Sequence, residues 1–303
     1  MRVAVTGGNG RLGRALVAAL EETAFVGPSG PIAWDRSAFD LDAPIAIHGL
    51  LDRERPEAVV HAAAWTDVDG CARDPELARR RNAEAVHVLA EATAAREIDL
   101  IHVSTNEVFD GRRTDGVGYA PDDLAQPVNA YGQSKFEGEV AAAGAYRSRP
   151  AGLGIVRTAW LYGPPGSDFP SKILAAGDRA RAEGIPLKVV GDEFGSPSYS
   201  ADVAEAIVEL LGSNDVGGVH HFTNQGVASR AEWARELFRL VGADVAIEEV
   251  PASTWVRAST PPAWAVLAPT PPPGGEPLRS WQRALADYVP TLLRQRAAAG
   301  ARP

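Results

Sequence analysis

The stretch that most constrains this chain is its opening, RVAVTGGNGRLGRALVAALEE, where a four-residue apolar run enters a glycine-dense turn and passes at once into a helical pattern. Leu12, Ala15, Leu16, Ala19 and Leu20 fall at the i, i+3, i+4 spacing of one buried helix stripe. The rhythm then repeats: AVVHAAA before PELARRRNAEAVHVLAEATAARE, IDLIHVS before AYGQSKFEGEVAAA, and then LGIVR. Alternating strands and helices predict an α/β fold with a doubly wound parallel sheet, because parallel neighbours need a crossover, and a helix is the usual one.

At 303 residues and 45% hydrophobic composition the chain can bury a large core. Residues 1–157 are expected to form a dinucleotide-binding (Rossmann) unit completed by about 198–218, with 158–197 and 219–303 forming a smaller mixed α/β substrate-binding region. In that region the pattern predicts a helix near 169–183, a strand at LKVV, a helix over 200–212 and a strand at HHFTN. Residues 251–277 are crowded with proline and are expected to hold no regular element, only a wrapping or mobile loop. RQRAAAGARP, residues 294–303, reads as a frayed tail.

A net charge of −9 without a Lys/Arg run argues against nucleic acid. No 18-residue apolar segment and no signal-peptide pattern occur, so no membrane role is expected. The single cysteine, Cys71, forbids an internal disulfide and favours a reducing compartment, the cytoplasm. The expected partners are small molecules.

The turn TGGNGRLG carries Gly7, Gly10 and Gly13, and satisfies G-x-G-x-x-G through Gly8, Gly10 and Gly13. Glycines there permit the tight turn, bring backbone N–H groups to a pyrophosphate and allow close helix packing. With a strand before it, a helix after it and Asp35 twenty-two positions beyond Gly13, the turn predicts a dinucleotide site. Asp35 is placed to accept from an adenosine ribose, which favours NAD, and Arg36 to pair with a 2′-phosphate, which favours NADP. The cofactor is thus NADPH or NADH. Ala62, Ala63 and Ala64 end another strand at the crevice edge, where small side chains leave room for a cofactor or simply pack.

Tyr131 and Lys135 in AYGQSK are four residues apart and project from one helix face. A tyrosine acting as acid and base near neutrality needs its pKa lowered from about 10 toward ~7, worth roughly 4 kcal/mol. One unit charge at ~4 Å and an effective dielectric of ~20 contributes about that much, so Lys135 is expected to suffice. Ser104 and Thr105 end the strand IDLIHVS, where open sheets present ligand groups.

Taken together, TGGNGRLG, HAAAWTDVD with NAEAV, STNEVFDG, PVNAYGQSK, RTAWLYG and DEFGSPSY resemble the extended short-chain dehydrogenases/reductases, and within them the dTDP-4-dehydrorhamnose reductases, over roughly residues 1–240. The resemblance implies that Gly10, Arg11 and Leu12 lie along the pyrophosphate with Ala62 to Ala64 beside the cofactor. It implies Tyr131 as proton donor, Lys135 on the nicotinamide ribose, Thr105 on the carbonyl oxygen and Trp160 stacked on the sugar. The implied reaction is hydride transfer from NAD(P)H to the C4 carbonyl of a dTDP-4-keto-6-deoxyhexose, the nucleotide sugar being the partner and a homodimer being compatible with it. Asn106-Glu107 stands where the family usually has Asp-Tyr, and these two are expected to touch substrate. Ala268 stands where an aspartate commonly follows the leucine. No metal ligands carry over.

A nucleotide-sugar 4,6-dehydratase is the rival within enzymes, since those use Thr-Asp-Glu where this chain has Thr105-Asn106-Glu107. An amide cannot donate an acidic proton to a departing hydroxyl, which counts against it. An epimerase would use the same Tyr131-Lys135 pair, and a non-catalytic dinucleotide-binding subunit is the reading from another class. His220-His221, adjacent on a strand, point to opposite faces and do not form a ligand pair. His61 and His102 read as satisfied core residues, and Asp67 and Asp69 as caps of the next helix.

Overall fold

The computed structural model describes residues 1–300 apart from 166 and 214. Five strands, β1 (Val3–Thr6), β2 (Ile32–Trp34), β3 (Ala58–His61), β4 (Asp99–Thr105) and β5 (Leu153–Thr158), join Gly218–His221 in a six-stranded sheet. Every pairing is parallel, in the order Gly218–His221, β5, β4, β3, β1, β2. The expected α/β doubly wound sheet is therefore present. Helices cover both faces, which is why β1 and β3 are buried at every position and read as continuous apolar runs.

The two faces sort by the period of two along each strand. Val3, Val5, Ala58 and Val60 meet Leu12, Leu16 and Leu20 of α1 (Arg11–Glu21) and Val203, Ile207 and Leu211 of the helix Ser200–Gly212. Ala4 and Val59 meet Ile47, Leu51, Leu89 and Ala142 from the helices on the other side. From β1 the chain runs to β2 on one flank and then to β3 on the opposite flank. That reversal opens a crevice at the carboxyl ends of β1 and β3, where sheets of this type take ligands.

Trp160, Tyr162, Trp233, Leu237, Phe238 and Tyr288 build a second core, from the helices Phe169–Glu183, Arg230–Val241 and Trp281–Gly300 and three small sheets. Four expectations change. PELARRRNAEAV is not one α-helix: Pro75–Arg79 passes through a π turn, Arg80–Glu84, before Ala85–Ala94. The wider turn rotates Asn82 inward, where it bonds both backbone groups of Trp65 and the Ser134 hydroxyl, at 2.8, 3.0 and 3.1 Å. The strand expected at HHFTN is offset to Gly218–His221. The proline-rich stretch does contain a strand, Trp264–Ala265, added beside Phe194–Gly195 between prolines that leave its N–H groups free to pair. The supposed tail is helical from Arg294 to Gly300, anchored by buried Tyr288 and Leu292 and by an Arg296–Asp178 ion pair; 301–303 lie outside the described residues.

Candidate active site

The glycine turn closes on itself. Gly7 adopts φ +67°, and Gly10 donates to its carbonyl at 2.8 Å. A Cβ on Gly13 would stand 2.1 Å from that carbonyl oxygen, so no other residue lets α1 start so near β1. A Cβ on Gly7 would stand 3.1 Å from the backbone of Ala63, which brings the alanine run against the turn. No side chain caps α1 and no acid lies in its first turn. The N–H groups of Arg11, Leu12 and Gly13 are thereby left for an anion, favoured by the helix dipole, and the cradle fits a dinucleotide pyrophosphate. Arg11 offers its backbone here, because its Nε donates to Gly163 at 2.8 Å.

From the turn a groove of about 290 Å³ runs along Asp35, Arg36 and Ala62 to Ala64. Asp35 accepts from the Ser37 hydroxyl at 2.6 Å, from the Ser37 and Ala38 N–H groups, and from Asn9; the Ser37 hydroxyl foremost holds its carboxyl below the usual range. Arg36 is exposed and faces Asp40 and Asp42 at 3.8 and 3.5 Å. Arg81, which no motif flagged, lines this groove, grips Asp42 with two bonds and lies over Trp65.

On its other side the turn borders a cavity of about 430 Å³ that Thr105, Asn106, Glu107, Tyr131, Lys135 and Trp160 all line. Every residue expected at the site thus lies on one continuous surface, shared through Gly7, Gly10, Ala62 and Ala64. Asn129 caps the helix Ala130–Tyr146 by accepting from Gly132 at 2.8 Å. A Cβ on Gly132 would lie 2.0 Å from the Glu107 carbonyl oxygen, so this glycine seats the helix on the turn after β4. That contact brings Tyr131 to Thr105.

The electrostatics differ from the expectation. Lys135 is 2% exposed and its Nζ donates to the Val103 carbonyl at 2.7 Å. Burial lowers its pKa to about 8, against a smaller pull from Glu139. The Tyr131 phenol is raised, by burial first and then by the Glu107 carboxylate, with a bond to Thr105 opposing. Desolvation dominates, and the phenol is held protonated rather than made acidic.

Around these groups, Ser104 Oγ and Thr158 Oγ1 are buried at the cavity wall without partners among the described residues, unmatched polar atoms that suit a polyhydroxylated ligand. Asn106 is buried, with Nδ2 donating to Ala265 at 2.9 Å and Oδ1 facing Thr105 at 3.2 Å. Trp160 sits at φ +41°, and Gly195 makes room for its ring, since a Cβ there would stand 2.4 Å from the indole. The ring already carries a cation: Arg230 stacks on it at 3.5 Å. Burial lowers the Arg230 pKa to about 10. Arg230 lines the cavity and was not foreseen; the capping box of Ser229 and Glu232 marks the helix start but nothing in SRAEW ties it to this cavity.

Histidines stay outside the chemistry. His61 and His102 stack at 5.5 Å in the core, and burial brings His61 down to about 3. His61 Nδ1 bonds Thr6 at 2.8 Å, but among the described residues His61 Nε2 and both His102 nitrogens lack partners, so His61 is only half satisfied and His102 is not satisfied as expected. Asp67 caps Val68–Arg73, whereas Asp69 lies within that helix and accepts from Ser259 at 2.9 Å.

The profile of the family described as RmlD substrate binding domain matches residues 1–294. A dTDP-4-dehydrorhamnose reductase of Mycolicibacterium smegmatis is 35% identical over 96% of this chain and 86% of its own length. Among solved structures, a dTDP-4-dehydrorhamnose reductase of Clostridium acetobutylicum superposes with a TM-score of 0.87 at 30% identity, over 97% of this chain and all of the other. One from Bacillus anthracis, solved in complex with NADP, reaches 0.84 at 28%, over 96% of this chain and 99% of the other. A chain with this sheet, this glycine turn and these full-length likenesses belongs to the dTDP-4-dehydrorhamnose reductase family of the extended short-chain dehydrogenases/reductases.

Proposed function

We propose that this protein reduces the C4 keto group of a dTDP-linked 4-keto-6-deoxy sugar with NADPH or NADH. The observation that carries the reading is the meeting of Thr105, Tyr131 and Lys135 around one cavity that continues into the glycine-turn groove. When bound, the reduced nicotinamide supplies the hydride. Thr105 holds the carbonyl oxygen, and Tyr131 passes its phenolic proton to that oxygen as negative charge develops. A phenol kept protonated by burial suits this direction, because an alkoxide is a far stronger base than any phenolate. Lys135, fixed by the Val103 carbonyl, orients the nicotinamide ribose and offers a positive charge beside the phenolate left behind.

Residues 1–157, together with the helix Ser200–Gly212 and the strand that follows, act as the dinucleotide-binding part, and the second core as the part that holds the sugar. Elimination is disfavoured, since the position where the dehydratases carry an aspartic acid holds the Asn106 amide, which is engaged with Ala265 and has no acidic proton to give. Cys71, buried with its thiol raised to about 11, accords with a reducing, cytoplasmic setting. The test is oxidation of NADPH or NADH by the purified protein in the presence of a dTDP-4-keto-6-deoxyhexose: turnover supports the reading, and none with either cofactor overturns it.

A further inference from the structure

The reduction proposed above uses Thr105, Tyr131 and Lys135 and leaves Glu107 without a chemical task. Glu107 follows Thr105 in a tight turn, its N–H donating to the Thr105 hydroxyl at 3.2 Å, and both line the cavity beside Tyr131. Its Oε2 accepts from Asn129 at 2.7 Å; among the described residues no donor reaches Oε1. Nor is it neutralised by a close cation, because Arg230 and Arg257 stand instead at 3.9 and 3.3 Å from Glu193. Burial, and secondarily Glu193, raises its affinity for a proton above that of an ordinary carboxylate, with Asn129, Arg230 and Arg257 opposing.

A carboxylate with one unbonded oxygen, beside two hydroxyls that hold a carbonyl oxygen, is arranged to take a proton from the carbon next to that carbonyl. We propose that Glu107 is a general base for reversible enolisation, so that the enzyme exchanges hydrogen at a carbon adjacent to the keto group, an activity additional to reduction. The inference rests on the keto-sugar reading of the cavity. In the step, the C–H bond breaks and its proton passes to Glu107 Oε1. The released electron pair forms the carbon–carbon double bond, and the carbonyl pair moves onto oxygen, held by Thr105 and Tyr131. Exchange of the carboxyl proton with water, then its return to the same carbon, restores the ketone carrying a solvent hydrogen. No oxidant or reductant is consumed.

Incubation of the full chain with a dTDP-4-keto-6-deoxyhexose in D2O, with no nicotinamide added, followed by mass spectrometry of the recovered ketone, tests this. The wild type is expected to incorporate deuterium about 100-fold or more faster than buffer, the usual yield of a placed general base. Glu107→Gln keeps the shape and the bond from Asn129; its exchange should fall about 100-fold or more, and the ratio of exchange to NAD(P)H-dependent reduction, read on the same protein, should fall at least about tenfold. Retained exchange in Glu107→Gln overturns the assignment. Wild-type protein that reduces the ketone without exchanging deuterium overturns the base alone, whereas wild-type protein with neither activity overturns the reduction beneath it.

Discussion

Substituting Gly13 by alanine should damage cofactor binding more than any other single methyl group added to the chain's first helix. The new Cβ would lie 2.1 Å from the Gly7 carbonyl oxygen, where about 3.0 Å is the nearest such approach, so α1 and the turn must part by about 0.9 Å. Forcing one methyl into a packed site costs about 1–3 kcal/mol. A shift of that size also carries an N–H of the helix start out of bonding range of the pyrophosphate, and a bond to a charged group is worth about 1.5–3 kcal/mol. At about 1.4 kcal/mol per tenfold, the Kd for NADPH should rise roughly 10- to 150-fold. Fluorescence titration with NADPH, paired with thermal melting, measures both effects. Gly144→Ala is the control: it lies in the helix Ala130–Tyr146 with nothing within 4 Å of its Cβ, and should stabilise by about 0.5–1 kcal/mol without changing the Kd. A Gly13→Ala protein that binds NADPH and melts like the wild type would refute the reasoning.

Tyr131→Phe should abolish ketone reduction while changing the NADPH Kd by no more than about twofold, since the phenol acts on the substrate oxygen; retained turnover in steady-state assays removes Tyr131 from its role. For Lys135 the folded pKa of about 8 lies below the unfolded value of 10.5, so above pH 8 the unfolded chain binds more protons and stability rises with pH. Urea melts of cofactor-free protein from pH 8 to 9.5 should show the wild type gaining roughly 1–2 kcal/mol relative to Lys135→Met; parallel curves would show that the buried ammonium carries no such penalty. Arg157 and Glu139 form a buried two-bond pair at 3.0 and 2.7 Å. Arg157→Met should cost about 3–5 kcal/mol in chemical denaturation by stranding the carboxylate, and adding Glu139→Leu should recover most of it.

The helix stripe of Leu12, Leu16 and Leu20 and the order of strands and helices were legible because each depends on a period within one element. The glycine turn was legible for a similar reason: Gly7, Gly10 and Gly13 are imposed by backbone geometry over seven residues. Arg81 and Arg230 were not: Arg81 directly precedes NAEAV but is aimed into the groove only by the packing of its helix, and Arg230 reaches the cavity from an element distant in sequence with no spacing relation to the motifs. The π turn at Arg80–Glu84 was hidden too, since ordinary helical periodicity continues on both sides of it.

What the amino-acid order determined on its own was the alternation of strands and helices that makes a doubly wound sheet, the anion cradle at the start of α1, and a tyrosine and lysine on one helix face. The charge state of that pair was decided only by the tertiary structure. Spacing places Lys135 beside Tyr131, but the depth of their burial, the Val103 carbonyl that holds the ammonium and the Glu107 carboxylate that shares their cavity are all long-range products of folding. Desolvation depends on the whole packed surround of a group, and no window of sequence contains it.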